Sequence, residues 1–166
     1  ADLNWQPDCL VCAAGSGGTY AGLYLGNALY PMTGRVIGIP VCEDADYFRP
    51  RIIQEASRAA QLLQTSRMPD PGGITLVDGY AGPGYAKTNP GQLRLLRHAA
   101  QMEGLILDPV YTGKAFDGVR GEIEKGTIPK NSRVLFLHTG GIFGLSAFTG
   151  EMTQLWDSTA YWPDLY

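Results

Sequence analysis

Cys12-Ala13-Ala14-Gly15-Ser16-Gly17-Gly18-Thr19-Tyr20-Ala21-Gly22 is the stretch on which the fold turns. The residues leading into it, Asp8-Cys9-Leu10-Val11, are short, mostly apolar and β-prone, and those from Ala21 to Leu29 are small and apolar at helical spacing. The expected unit is a strand at about Cys9–Ala13, a glycine-rich turn, and a helix over about Thr19–Leu29. Such a turn aims several backbone N–H groups at one point, where the helix N-terminus adds partial positive charge. The result is an anion site suited to a phosphate ester, to which Ser16 and Thr19 can add hydroxyl donors. The alternative is a tight turn with no ligand.

Two other glycine-rich phosphate motifs do not match. A P-loop needs Gly-Lys followed by Ser or Thr, whereas Gly113-Lys114 is followed by Ala115. A dinucleotide fingerprint needs a third glycine in register and an acidic residue about 20 positions on. Here Gly15-Ser16-Gly17-Gly18-Thr19-Tyr20 lacks that glycine, and the second strand, Arg35 to Pro40, is followed by Val41-Cys42.

Outward from this unit, elements alternate. Tyr30 to Gly34 breaks the first helix, and Arg35–Ile39 is the second strand. Asp44 to Asp46 offers N-cap residues for a long helix from about Tyr47 to Leu63. Ile74–Val77 is the third strand, followed by an aromatic, glycine-rich loop, Asp78 to Tyr85. Asn89-Pro90 starts a helix to about Glu103, another runs over about Ala115–Lys125, and Arg133–Leu137 reads as a strongly buried strand. His138-Thr139-Gly140-Gly141 is a second strand-to-glycine turn, Ile142 to Phe148 opens a short helix, and Glu151 to Tyr166 has no clear pattern. Alternation of this kind predicts one three-layer αβα domain over residues 1–166 with a mainly parallel sheet. In such a sheet the loops Ala14–Thr19, Asp78–Tyr85, Asp108–Lys114 and His138–Gly141 gather at one edge, beyond the carboxyl ends of the strands.

With 166 residues the chain is long enough for a sizeable core, and 45% hydrophobic against 17% charged residues is ordinary for a globular protein. A net charge of −3 without a basic run argues against a nucleic-acid surface. No apolar run reaches membrane-spanning length and no signal peptide is visible. Cys9-x-x-Cys12 lies in a strand rather than at a helix start and has no second pair, so two small strand residues compete with a redox or zinc role. A reducing, cytoplasmic setting is expected.

Three motifs, taken in order, carry a resemblance. Ala14-Gly15-Ser16-Gly17-Gly18-Thr19-x-Ala21-Gly22, Leu107-Asp108-Pro109-Val110-Tyr111-Thr112-Gly113-Lys114-Ala115 and Phe136-x-His138-Thr139-Gly140-Gly141 resemble the D-cysteine desulfhydrase / 1-aminocyclopropane-1-carboxylate deaminase family. These are pyridoxal 5'-phosphate enzymes of the tryptophan synthase β-like fold. The resemblance implies that Ala14, Gly15, Ser16, Gly17, Gly18 and Thr19 hold the cofactor phosphate. It implies that Tyr111 lies against the cofactor ring and handles substrate protons, that Tyr80 is a second active-site tyrosine, and that Thr139 sits near the pyridine nitrogen. For both tyrosines ring packing is the alternative role. The aminocyclopropane deaminases carry Glu where this chain has Thr112 and a bulky apolar residue where it has Thr139. Both positions, counted with the cofactor-binding set, imply β-elimination from a D-amino acid to pyruvate, ammonia and sulfide.

The chain departs from the family in length and in its lysines. Family members are roughly twice as long, and their Schiff-base lysine lies in an upstream Gly-Asn-Lys-type motif that is absent here. Of Lys87, Lys114, Lys125 and Lys130, only Lys114 is near a motif, and it reads as a helix cap or a carboxylate partner. The chain is therefore expected to be the C-terminal portion of such an enzyme and inactive alone. Its expected partners are an amino-acid substrate, an upstream segment or partner chain supplying the lysine, and further copies in a homo-oligomer. A non-catalytic cofactor- or phosphate-binding module is the competing class.

Overall fold

Alternation of side chains along β1 (Cys9–Ala14) builds the two halves of the core. In the computed structural model, which describes residues 5–30, 34–68 and 70–157, every residue of this strand is buried. Cys12 and Ala14 face the layer formed by α1 (Gly18–Leu29) and α2 (Ala45–Leu62). Cys9, Val11 and Ala13 face α4 (Thr112–Glu124) on the other side. A strand points successive side chains to opposite faces, so Cys9 and Cys12 cannot pair as a dithiol. All three cysteines are free, and no cluster of metal-ligating residues occurs among the described residues.

The sheet is parallel throughout, in the order β3 (Thr75–Leu76), β2 (Arg35–Pro40), β1, β4 (Val134–Phe136). Helices cover both faces, which is the expected three-layer αβα arrangement. α2 begins at an Asp44 cap whose Oδ1 accepts the Tyr47 N–H at 2.9 Å. Its Phe48, Ile52, Ala56 and Ala60 recur every fourth residue and are buried against α1 and the sheet. Burial of Phe48 and Ile52 alone is worth about 1.5–3 kcal/mol each. α3 (Pro90–Glu103) starts on an Asn89 cap with Pro90 at its first position and ends at left-handed Gly104.

Three expectations need correction. The buried strand at Arg133–Leu137 is an edge strand of three residues whose Leu135 is 40% exposed, because the sheet order leaves β4 with β1 as its partner on one side. β3 is likewise a two-residue edge at Thr75–Leu76. The patternless stretch after Glu151 begins as α5 (Thr149–Asp157), and its remainder, like the lead-in before Trp5 and the centre of the break at Tyr30 to Gly34, lies outside the described residues. No helix of the described residues is long and apolar enough to cross a membrane.

Candidate active site

The turn after β1 is built to leave helix amides open. Gly17 caps α1 in the left-handed region at φ 89° and brings no side chain to the helix end, the first turn holds no acidic residue, and only the Gly18 N–H meets a side chain, a long 3.5 Å contact to Ser16 Oγ. The first amides of a helix lack internal partners and carry the positive end of its dipole, which makes this a seat for an anion.

A cavity of about 330 Å³ opens at that turn. It is lined by Ala13, Gly15, Ser16 and Thr19 on one side, by Tyr111, and by Thr139, Gly140 and Gly141 on the other. Four of the lining residues, Ser16, Thr19, Tyr111 and Thr139, carry hydroxyls, and none carries a charged side chain. That donor set fits a ligand that brings its own negative charge and is held by dipoles, as a cofactor phosphate is. Of the expected phosphate residues, Gly15, Ser16 and Thr19 line the cavity. Ala14 closes the strand, its carbonyl accepting the Val41 N–H at 3.2 Å, and Gly17 and Gly18 shape the turn and start the helix. Gly15 is required by close approach: a Cβ there would stand 2.7 Å from the Tyr111 ring. A second cavity, about 360 Å³ between α3 and α5, is lined mainly by apolar side chains such as Leu96, Ile106 and Leu145.

Asp108 places Tyr111. Its buried carboxylate accepts the N–H groups of Val110 and Tyr111 on Oδ2, each at 2.8 Å, and that of Thr112 on Oδ1 at 2.7 Å. This cap starts α4 at Thr112, three residues before the expected Ala115. Asp108 also backs the glycine turn after β4, where a Cβ on Gly141 (φ 95°) would come within 2.6 Å of the carboxylate. His138 steadies that turn: its Nδ1 accepts the Gly140 N–H at 3.2 Å, which leaves Nε2–H to donate to the Ile106 carbonyl at 2.7 Å.

Tyr85, which sequence reasoning missed, completes the constellation. Its hydroxyl lies 2.8 Å from that of half-buried Tyr111, with the rings edge to face. The hydrogen bond with Tyr85, then burial, then the nearby negative groups push the Tyr111 phenol up to about 12. At neutral pH Tyr111 is therefore a neutral, protonated phenol. The available signal was the Gly82-Pro83-Gly84-Tyr85 run in the same loop as Tyr80.

Beyond Ala14, Gly17 and Gly18, two further expected site residues are not brought to the cavity. Tyr80 is buried, its hydroxyl donating to Glu122 Oε1 at 2.7 Å and accepting from Lys125 Nζ at 3.0 Å. Those partners sit at the far end of α4 from Tyr111, roughly 16 Å along the axis at 1.5 Å per residue. Burial pushes the Tyr80 phenol up. Burial also works against the Glu122 carboxylate, yet the Lys125 and Tyr80 hydrogen bonds outweigh it and hold this carboxyl below its usual 4.5. Thr112 is fully buried, and its Oγ1 donates to Asp108 Oδ1 at 2.6 Å and accepts the Asp108 N–H at 2.9 Å. It braces Asp108 rather than facing the cavity.

Lys114 neither caps a helix nor pairs with a carboxylate. Fully buried, it donates to the carbonyls of Val41 at 3.0 Å, Ala81 at 2.7 Å and Gly84 at 2.7 Å. Lys125 is held by Glu122 at 2.8 Å, and no lysine is among the residues lining the cavity.

The glycine turn at the start of α1, the hydroxyl-lined cavity and the parallel αβα frame stand together at one end of the sheet. The chain belongs to the pyridoxal-phosphate dependent enzyme family, whose model matches residues 1–140. It is 34% identical over 149 residues to a 1-aminocyclopropane-1-carboxylate deaminase of Ralstonia nicotianae, covering 90% of this chain and 44% of that protein. It is 42% identical over 144 residues to a putative 1-aminocyclopropane-1-carboxylate deaminase of Thermotoga maritima, covering 84% and 43%. The crystal structure of an ACC deaminase homologue superposes with a TM-score of 0.81 at 35% identity, over 92% of this chain and 45% of the other. The chain thus spans less than half the length of these relatives. The expected family, fold and pyridoxal 5'-phosphate dependence are those found.

Proposed function

We propose that the chain forms the phosphate-holding and proton-handling part of a pyridoxal-phosphate lyase that eliminates the β-substituent of a D-amino acid, D-cysteine giving pyruvate, ammonia and sulfide. Gly15, Ser16 and Thr19 would hold the phosphate, Tyr111 and Tyr85 would move protons, and Thr139 would offer its hydroxyl to the cofactor ring. The cofactor, when bound, withdraws electrons from the substrate α-carbon. The observation that supports elimination is the Thr139 hydroxyl in the cavity lining, where the described lining residues carry hydroxyls and no carboxylate. Position 112 is closed on Asp108, so Thr139 stands as the hydroxyl of the second glycine turn, and a neutral hydroxyl does not keep a ring nitrogen protonated. The Tyr111 phenol is suited to deliver the proton that the leaving sulfur or the product carbon needs.

The tethering lysine is proposed to come from a segment outside this sequence, in a cytoplasmic, homo-oligomeric enzyme. Three free cysteines are in keeping with a reducing compartment. The names of the relatives favour a second reading, hydrolytic ring opening of 1-aminocyclopropane-1-carboxylate to 2-oxobutanoate and ammonia. The enzyme containing the lysine-bearing portion is offered both substrates with D-serine as a control. Sulfide and pyruvate from D-cysteine, with little 2-oxobutanoate from the cyclopropane, is the expected result. The reverse preference establishes the second reading, and turnover of neither substrate favours a non-catalytic cofactor-binding module.

A further inference from the structure

The loop that carries Tyr85 is fixed from within at one point, where the Lys87 N–H donates to the Gly84 carbonyl at 3.2 Å. Gly82 and Gly84 adopt φ of 63° and 122°, conformations open to glycine, and Ala86 follows at φ 51°. Tyr85 itself is 60% exposed, so its ring is not packed into place by the core. That bond spans Tyr85 itself, whereas the turn before it, 81–84, is held from outside the loop.

We propose that Lys114 is a positioning residue whose ammonium, by gripping the carbonyls of Ala81 and Gly84 from a fixed point on Val41, sets the 81–84 turn so that the Tyr85 hydroxyl meets Tyr111. An ammonium has three N–H donors, and here all three are taken by three carbonyls at 2.7–3.0 Å. Two of those carbonyls bracket the glycine turn, and the residue after the second is Tyr85. Lys114 lies on α4 two residues after the Thr112 held by Asp108, so one helix end carries both Tyr111 and the brace for its partner. Burying an ammonium is costly, and it is retained here without a carboxylate in ion-pair range among the described residues. Burial lowers the Lys114 pKa, with Cys42 and Asp108 opposing. The groups that act on Tyr111 are Tyr85, Asp108 and Cys42. Gln92 Nε2 holds the Tyr80 carbonyl at 3.3 Å and so anchors the start of the loop, not the turn that precedes Tyr85.

The inference rests on the proposed role of the tyrosine pair, and its test separates the two. Fluorine NMR of the full chain labelled with fluorotyrosine, signals assigned by single Tyr→Phe substitutions, reads the contact without cofactor or turnover. In Lys114→Met the Tyr85 and Tyr111 signals are expected to move as each moves when its partner becomes Phe, while Tyr20 and Tyr24, in the opposite layer, stay put. In Lys114→Ala, propylammonium replaces the atoms removed and returns both signals. In the enzyme containing the lysine-bearing portion, Lys114→Met is expected to cut kcat on the order of 10²-fold with KM little changed. The alkaline limb of its rate profile moves to lower pH, as in Tyr85→Phe. Tyr85 and Tyr111 signals that hold still while Tyr20 and Tyr24 persist overturn the proposal. So does a variant in which all four move and the amine restores none. Signals that move with turnover intact leave the positioning role standing and instead refute the use of the tyrosine pair in chemistry.

Discussion

Tyr111→Phe is expected to lower turnover of the enzyme containing the lysine-bearing portion by roughly 10²–10⁴-fold, the usual worth of a positioned general acid or base, with pyridoxal phosphate still bound. The substitution removes a single oxygen. The ring that packs on Gly15 stays, and the phosphate seat is made by backbone and by Ser16 and Thr19, none of which the phenol holds. Loss of cofactor together with turnover would show instead that Tyr111 is a packing residue. Tyr85→Phe is the companion experiment. It removes the leading cause of the raised Tyr111 phenol, so Tyr111 ionises at lower pH than its present value of about 12. Where the protonated phenol is the active form, activity is lost as pH rises through that value. The alkaline limb of kcat therefore shifts down in Tyr85→Phe. Tyr80→Phe acts on stability, because its hydroxyl serves the Glu122–Lys125 pair.

Asp108→Ala is expected to destabilise the chain by about 3–5 kcal/mol, since two buried N–H groups, the half-buried Tyr111 N–H and the Thr112 hydroxyl lose their acceptor together. That is a large fraction of the roughly 5–15 kcal/mol that holds a typical domain. Asp108→Asn keeps one accepting oxygen and should cost about half as much. Denaturant midpoints at neutral pH measure both, and the ordering Asp, Asn, Ala is the prediction. Equal, small losses would mean that α4 is started by its packing rather than by this cap. Because Tyr111 is hung from Asp108, the Asn variant should also loosen the Tyr85–Tyr111 contact before the chain unfolds.

What the sequence made legible is local. The strand, glycine turn and helix around Gly15 follow from neighbours in the chain, and so does the anion seat they form. Both glycine turns, Tyr111 and Thr139 were placed in one cavity by the topology of a parallel sheet. The choice between Tyr80 and Tyr85 was not local. They stand five residues apart in one aromatic, glycine-rich loop, and contacts from α4 and its C-terminal end separate them: Glu122 and Lys125 take the Tyr80 hydroxyl, and Tyr85 is left to meet Tyr111. Thr112 was displaced for a related reason: its hydroxyl is claimed by Asp108, four residues back. Asp108 carried a readable signal, an N-cap residue type shortly before a helix. The exposure of β4 depended on sheet order, which residues Arg133 to Leu137 do not encode by themselves.

The central claim is that these 166 residues hold the cofactor phosphate with neutral groups and take the tethering lysine from elsewhere. Titration of the purified chain with pyridoxal phosphate, followed by borohydride reduction and intact-mass analysis, tests it most directly. Saturable binding that inorganic phosphate competes away, with no lysine reduced in stoichiometric yield, is the predicted result. A stoichiometric adduct mapped to Lys87, Lys114, Lys125 or Lys130 would contradict it.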